Sequence, residues 1–309
     1  MVQIIVSIAP VFLLIVLGHA LRRGGIPSVE FWNLNDRLVY WVLFPALLFY
    51  KTSTISFAGG VVGPYAVAIY GALACAIGFA LLCARLGGLN GATAASLLQG
   101  CARHNTFIAL AVSERLFGGE GLAIAALTTA LLIPVTNVSM VSLIVTLVRE
   151  RGSSGLGRAI VRDLSRNPLL IAVLLGVAMN LSGSGPLPVI HDMCQILGNA
   201  ALPVVLLCVG ANIRVKEMAA GVLPLSLSML GKLLIFPLAM WLLARQLELP
   251  AAVVQVAMIY AAVPVAPGAY TLSRQLGGDA PLMAGMITVQ TALSFLTLPF
   301  TLMLVQRLA

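Results

Sequence analysis

Two stretches of the chain are out of keeping with their surroundings. Gln99-Gly100-Cys101-Ala102-Arg103-His104-Asn105-Thr106 lies inside the apolar run 92–116, and Val263-Pro264-Val265-Ala266-Pro267-Gly268 lies inside the run 251–274. At bilayer depth a central arginine costs about 2.5–3.5 kcal/mol on insertion scales. Two prolines so close together remove two backbone donors, and each clashes with the preceding turn. Neither stretch can hold a regular helix. Each half-helix that begins at such a break turns N–H groups and a positive dipole end toward the gap, and two such ends facing each other suit an anion. Arg103 adds a full charge and a forked donor set matched to a carboxylate, and Asn105 supplies both donor and acceptor. The chemistry asked for is the holding of a small organic anion, by Arg103, His104, Asn105 and Thr106 from one break and Pro264, Val265 and Pro267 from the other. Either break alone reads equally well as a kink or a locally paired polar group. Both together, at corresponding positions, point to a binding site.

The elements that position these residues are membrane spans. The chain has 309 residues, 60% apolar and 9% charged, against about 25% charged in ordinary soluble domains. That composition excludes a soluble enzyme, a nucleic-acid-binding domain, a secreted disulfide scaffold and a disordered tail. The formal charge of +8 resides in basic residues between apolar blocks, where membrane topology accounts for it. Ten apolar runs follow one another: 3–21, 33–50, 61–84, 92–116, 120–148, 168–182, 191–211, 220–244, 251–274 and 282–306. The first has no basic segment before it and ends in Arg22-Arg23, the reverse of a signal peptide, and is expected to be a span.

Residues 149–167 form the longest connection, with Arg149, Arg151, Arg158, Arg162 and Arg166 against Glu150 and Asp163. This basic, cytoplasmic loop divides the chain into residues 1–148 and 168–309, each with five runs. Connections after odd-numbered runs carry 11 basic residues and the opposite side 4, so both termini are expected outside the cytoplasm. Five spans per half require the second half to enter inverted, a plan of secondary transporters. Leu43-Phe44-Pro45-Ala46-Leu47-Leu48 resembles Ala201-Leu202-Pro203-Val204-Val205-Leu206 at an offset of 158, and Gly118-Gly119-Glu120 resembles Gly277-Gly278-Asp279 at 159. Ile133-Pro134-Val135-Thr136 also resembles Leu298-Pro299-Phe300-Thr301. The second offset pairs Asn105 with Pro264. The fold expected is all-α and polytopic, with ten transmembrane helices in two inverted five-helix repeats and broken crossover helices 4 and 9.

Other residues carry weaker signals. Lys232 lies near the middle of the eighth run with no evident acidic partner. It reads either as a coupling group or substrate counter-charge, or as a lysine paired with a helix C-terminal end or lining a wet cavity. His104 is a candidate proton carrier, or a hydrogen-bonding core residue. No Asp or Glu lies securely inside a run, which disfavours a carboxylate relay. Gln99, Gln255, Gln290 and Asn137 read as interhelical glue, His19 and His191 as interface residues without a specific role, and Trp32 and Trp41 as interfacial aromatics. Cys75, Cys83, Cys101, Cys194 and Cys208 form no zinc-type spacing and read as small buried hydrophobes. No HExxH, acidic phosphate cluster or P-loop suggests an enzyme or a nucleotide-driven pump, and no metal or cofactor is expected.

Arg103-His104-Asn105-Thr106-Phe107-Ile108 with Glu114-Arg115-Leu116-Phe117-Gly118 resembles the fourth-span region of the auxin efflux carrier family of bacterial permeases. So do Pro264-Val265-Ala266-Pro267-Gly268-Ala269-Tyr270 with Arg274-Gln275-Leu276-Gly277-Gly278-Asp279, then Ile287-Thr288-Val289-Gln290-Thr291 and Arg166-Asn167-Pro168. The likeness covers nearly the whole chain. It implies a homodimer in the inner membrane, with spans 3–5 and 8–10 moving elevator-fashion against a scaffold of spans 1–2 and 6–7. It implies transport of small carboxylates, as in malonate-permease-like members and the auxin carriers of plants. The family's crossover asparagine carries over to Asn105 and its prolines to Pro264 and Pro267. Many members have a small residue before that asparagine, where this chain has Arg103 and His104. The function expected is a secondary carrier of small organic anions acting as exporter or uniporter, the alternative being a sodium- or proton-coupled importer.

Overall fold

In lipid every backbone polar group must be satisfied within the segment, so long apolar runs fold as helices. The computed structural model of the protein describes residues 2–54, 60–148, 165–183, 185–213 and 221–308. Residues 149–164 of the basic connection lie outside the described residues, as do Arg214 and Lys216, so much of the charge on which the orientation rests has no structural counterpart here.

The described residues are helical throughout their ordered elements. In chain order these are α1 (Val2–Arg23), α2 (Val29–Leu38), α3 (Phe44–Thr54), α4 (Val62–Leu86), α5 (Gly91–Ala102) and α6 (Thr106–Val148). They continue with α7 (Pro168–Leu181), α8 (Pro188–Ala211), α9 (Val222–Leu230), α10 (Phe236–Gln246), α11 (Ala251–Ala262), α12 (Gly268–Leu276) and α13 (Ala280–Leu308). Every apolar run coincides with helix, and six segments are long and apolar enough to cross a membrane. At 1.5 Å per residue α6 would be about 65 Å long, roughly twice a hydrocarbon core. It does not run straight: Gly118 (φ 60°, ψ −145°) departs from helical geometry and divides it where two runs were expected.

Two spans are continuous but wide in the middle. A π turn at Val39–Leu43 joins α2 to α3, and another at Gly231–Ile235 joins α9 to α10. Each is followed by Phe-Pro: Phe44-Pro45 and Phe236-Pro237. Proline has no N–H to give and its ring collides with the carbonyl four residues back. Widening the preceding turn relieves the collision: the N–H of Phe44 bonds back to Val39 and that of Phe236 to Gly231, five residues each. The span starting at α2 also begins earlier than its apolar run. Ser28 caps it, accepting from the N–H of Phe31, and its first turns mix polar residues with Val29, Phe31, Trp32 and Leu34.

The helices pack in two groups. In one, α1 lies on α8, and α3 lies on both α7 and α8. In the other, α4 packs on α5 and α10, α5 on α6 and α9, and α11 on α6, α10 and α13. Links between the groups run chiefly through α6 and α1. The first group is knitted by glycine. A Cβ on Gly18 would overlap the carbonyl of Leu207, and one on Gly210 the carbonyl of Ile15, so α1 and α8 touch backbone to backbone. Such small-residue contacts are how membrane helices gain dispersion energy without a hydrophobic drive. His191 is buried here: Leu187 N–H donates to its Nδ1 at 3.0 Å, and its Nε2 lies 3.0 Å from Ser53 Oγ. It thus ties α8 to α3, a role its sequence position did not suggest. Trp32, expected at the interface, is also buried, with Nε1 donating to the Ile26 carbonyl at 3.1 Å.

Candidate functional site

Both breaks are present. α5 stops at Ala102, Arg103 is extended (φ −78°, ψ 141°), and α6 starts at Thr106. α11 stops at Ala262, Val263 is extended (φ −66°, ψ 152°), and α12 starts at Gly268. The two extended stretches meet, with the N–H of Asn105 donating to the Pro264 carbonyl at 2.8 Å. Asn105 also caps α6, its Oδ1 accepting from Phe107 and Ile108 N–H at 3.1 and 3.2 Å. This satisfies two of the first-turn donors that a helix start leaves open.

Gln290 on α13 holds both breaks at once. Its Oε1 accepts from Val265 N–H at 2.9 Å, and its Nε2 donates to the carbonyls of Gly100 at 2.9 Å and Ser228 at 3.3 Å. Gln99 Nε2 donates to Ser273 Oγ at 2.8 Å, bringing α5 against α12. Polar side chains that read as glue are thus the braces of the crossover.

In front of the crossover lies a cavity of about 210 Å³, lined by Arg103, His104, Thr106, Tyr40, Asn137 and Gly268 among others. Arg103 Nη2 reaches to 4.0 Å from where a Cβ on Gly268 would stand. The guanidinium and the N-terminal ends of α6 and α12 therefore converge on one space, the positive ends of two helix dipoles beside a full positive charge. A larger cavity of about 600 Å³ adjoins through Tyr40, Phe107 and Gly268, and it is bordered by Pro267, Tyr270, Trp41, Asp36 and Asn212. Asn167 at the start of α7, Asp36 on α2 and Asn212 after α8 place this opening on the side of the basic connection.

The seven residues singled out for binding divide. Arg103, His104 and Thr106 line the inner cavity and Pro267 the outer. Asn105, Pro264 and Val265 are buried behind them as the frame. Asn105 Nδ2 and His104 Nδ1 are buried with no hydrogen-bond partner among the described residues, while the His104 ring packs 5.7 Å from the Tyr260 ring. Lys232, fully buried, sits in the second π turn, with Nζ 3.5 Å from the Tyr260 carbonyl and 4.3 Å from the Phe236 ring centre. The last turn of α11 thus receives it. Tyr260 is itself fixed, its hydroxyl donating to the Ala125 carbonyl at 2.7 Å beside Thr129 Oγ1.

Tyr40, Phe107, Tyr270 and Asn167 are wall residues that the sequence reading passed over as site candidates. Asn167 had a local signal: Asn followed by Pro at a helix start is a cap pattern, and its Oδ1 accepts from Leu169 and Leu170 N–H. Among the described residues no group of His, Cys, Asp or Glu could hold a metal ion, and all five cysteines are free thiols.

Residues 153–302 match the family described as membrane transport protein. Over 297 residues, 95% of each chain, the sequence is 27% identical to an uncharacterized transporter of Methanothermobacter thermautotrophicus. These point to a multi-pass membrane transport protein rather than an enzyme.

Proposed function

We propose that this chain, which the family match and the near-full-length relative support as a permease of the auxin efflux carrier family, is a secondary transporter of small organic anions. The observation that carries the reading is the convergence of Arg103 and two half-helix N-termini on one cavity. A carboxylate entering it exchanges its hydration for a guanidinium fork and two dipole ends, the combination best suited to its charge and planar shape. Asn105 Nδ2, without a hydrogen-bond partner among the described residues, is a further donor at its rear.

The two packing groups support alternating access by elevator movement. The site lies wholly on elements of the second group except for the Tyr40–Trp41 wall and the edges at Asn167, Asp36 and α8. In the ten-span, inverted-repeat topology with both termini outside the cytoplasm, the cavities face the cytoplasm, and the structure is inward-open. A homodimer assembled through the first group would anchor that scaffold in the inner membrane.

The test is binding of a panel of mono- and dicarboxylates to the detergent-purified protein, read as a shift in Tm, beside Arg103→Ala. At least one carboxylate stabilises the wild-type protein and fails to stabilise the variant. Stabilisation of both to the same degree, or by no carboxylate at all, removes the anion site from the crossover.

A further inference from the structure

We infer that Lys232 is a resident cation of the crossover, an ammonium standing where a coupling alkali cation would otherwise be held, so that the anion is loaded without sodium. The inference rests on the anion-carrier reading of the site and names its coupling.

A broken helix has two unequal ends. The ends that begin at the gap attract anions, and the ends that stop there present carbonyl oxygens that attract cations. In carriers of this plan such carbonyl ends are where a coupling ion is coordinated. Here α11 stops at Ala262. The carbonyl of Ile259 is taken by the N–H of Val263 at 2.9 Å, and the next one, of Tyr260, is faced by Lys232 Nζ at 3.5 Å. The ammonium is fully buried, and the face of Phe236 covers it at 4.3 Å, a contact that favours the cation and keeps water out.

Among the described residues no Asp or Glu is buried. A sodium ion at the same carbonyl would meet the ammonium and Arg103 with no carboxylate to compensate.

The placement is built in rather than incidental. The π turn that relieves Pro237 puts Lys232 in its second position. Gly231, just before it, lies so close to the Cys101 side chain that a Cβ there would overlap the sulfur. That contact presses the eighth span against α5 two residues before Arg103. The His104 ring lies within electrostatic reach of both Lys232 and Arg103. One cation therefore faces the cavity and the other closes the carbonyl end behind it, and both travel with the same group of helices.

The experiment uses the full-length protein in detergent, with Tm measured in NaCl, KCl and choline chloride at equal ionic strength, with and without malonate or phenylacetate. The ligand-free protein melts at the same temperature in all three salts, and carboxylate shifts are equal in them. A rise specific to sodium, in ligand-free protein or in carboxylate affinity, overturns the inference. In Lys232→Gln, carboxylate affinity falls at least about tenfold, as expected for loss of a unit charge from the low-dielectric interior of the crossover. Unchanged affinity overturns it. Lys232→Met is the second variant should the first not fold, and the wild-type salt comparison decides the matter without either. If neither carboxylate binds in any salt, the anion reading fails, while the ligand-free sodium response still judges Lys232.

Discussion

The backbone N–H of Asn105 donates to the carbonyl of Pro264 at 2.8 Å, joining the two breaks at residues that a single repeat offset already pairs. Each break solves a problem of the other. The non-helical stretch after Ala262 has left a carbonyl without its helical donor, and the non-helical stretch after Ala102 has a free N–H to supply. The crossing is thus a mutual satisfaction of backbone groups at a depth where water is scarce.

Asn105 does two jobs that mutation can separate. Asn105→Asp keeps an oxygen to cap α6 but replaces the Nδ2 donor, buried behind the cavity wall, with an acceptor. Tm stays near wild type and carboxylate binding is lost. Asn105→Ala removes the cap as well and costs roughly 0.5–2 kcal/mol in addition. Denaturation curves and binding isotherms on the two variants distinguish the roles, and full binding in the Asp variant would show that Nδ2 has no part in the site.

Arg103→Ala lowers carboxylate affinity roughly 10- to 150-fold, the scale of a charge-assisted contact of about 1.5–3 kcal/mol. Arg103→Lys recovers part of it, since the charge returns without the fork. Isothermal titration with the best carboxylate of the panel measures both.

How much of this was legible beforehand depends on where the cause lies. Breaks caused by local chemistry were visible: Pro264 and Pro267 cannot sit in a helix interior, and Arg103-His104-Asn105 cannot face lipid. The ten apolar runs all coincide with helix for the same reason. The π turns were missed although Phe44-Pro45 and Phe236-Pro237 were in plain view, because a proline alone does not say whether a helix kinks, breaks or widens. A helix C-terminal end was one of the readings of Lys232, but not which one, since Tyr260 approaches only through packing of α11 on the eighth span. Tyr40 enters the cavity wall for a similar reason, carried there by contact between the two helix groups.

Gln290 braces both breaks, so its loss should be felt in stability before specificity. Gln290→Leu leaves the Val265 N–H and the Gly100 carbonyl unpaired in the interior, at about 1–3 kcal/mol for each. Gln290→Glu keeps the acceptor for Val265 but not the donor for Gly100. The expected order of Tm is wild type, then Glu, then Leu.

Arg115 on α6 donates from Nε to the carbonyl of Ser7 on α1 at 3.1 Å, a polar link between the two helix groups. Ser7→Cys with Arg115→Cys, in a chain whose native cysteines are replaced, forms a cross-link that blocks elevator movement. Carboxylate uptake into proteoliposomes ceases on oxidation and returns with reductant, while binding persists throughout. Unimpaired uptake in the oxidised protein would argue against relative movement of these groups.

Gly18→Ala and Gly210→Ala each force α1 away from α8. Destabilisation of about 1–3 kcal/mol is expected, with carboxylate affinity unchanged, since both glycines face the α1–α8 contact and neither lines a cavity. Thermal unfolding with and without ligand checks both parts.

A π turn is an α-helix carrying one residue more than its neighbours need. One residue corresponds to about 100° of rotation around the axis. Deleting a single position between Val39 and Leu43 would swing the whole of α2 about a quarter of a circle relative to α3. Tyr40 and Trp41 would leave the cavity wall, and Asp36 would lose its bond to Asn212, 2.8 Å long in the native chain. The same deletion near Lys232 would turn the ammonium from the Tyr260 carbonyl toward another face. The shape and the charge of the site are each one inserted residue away from a plain helix, which makes length, as much as side-chain identity, a variable by which carriers of this architecture can be retuned.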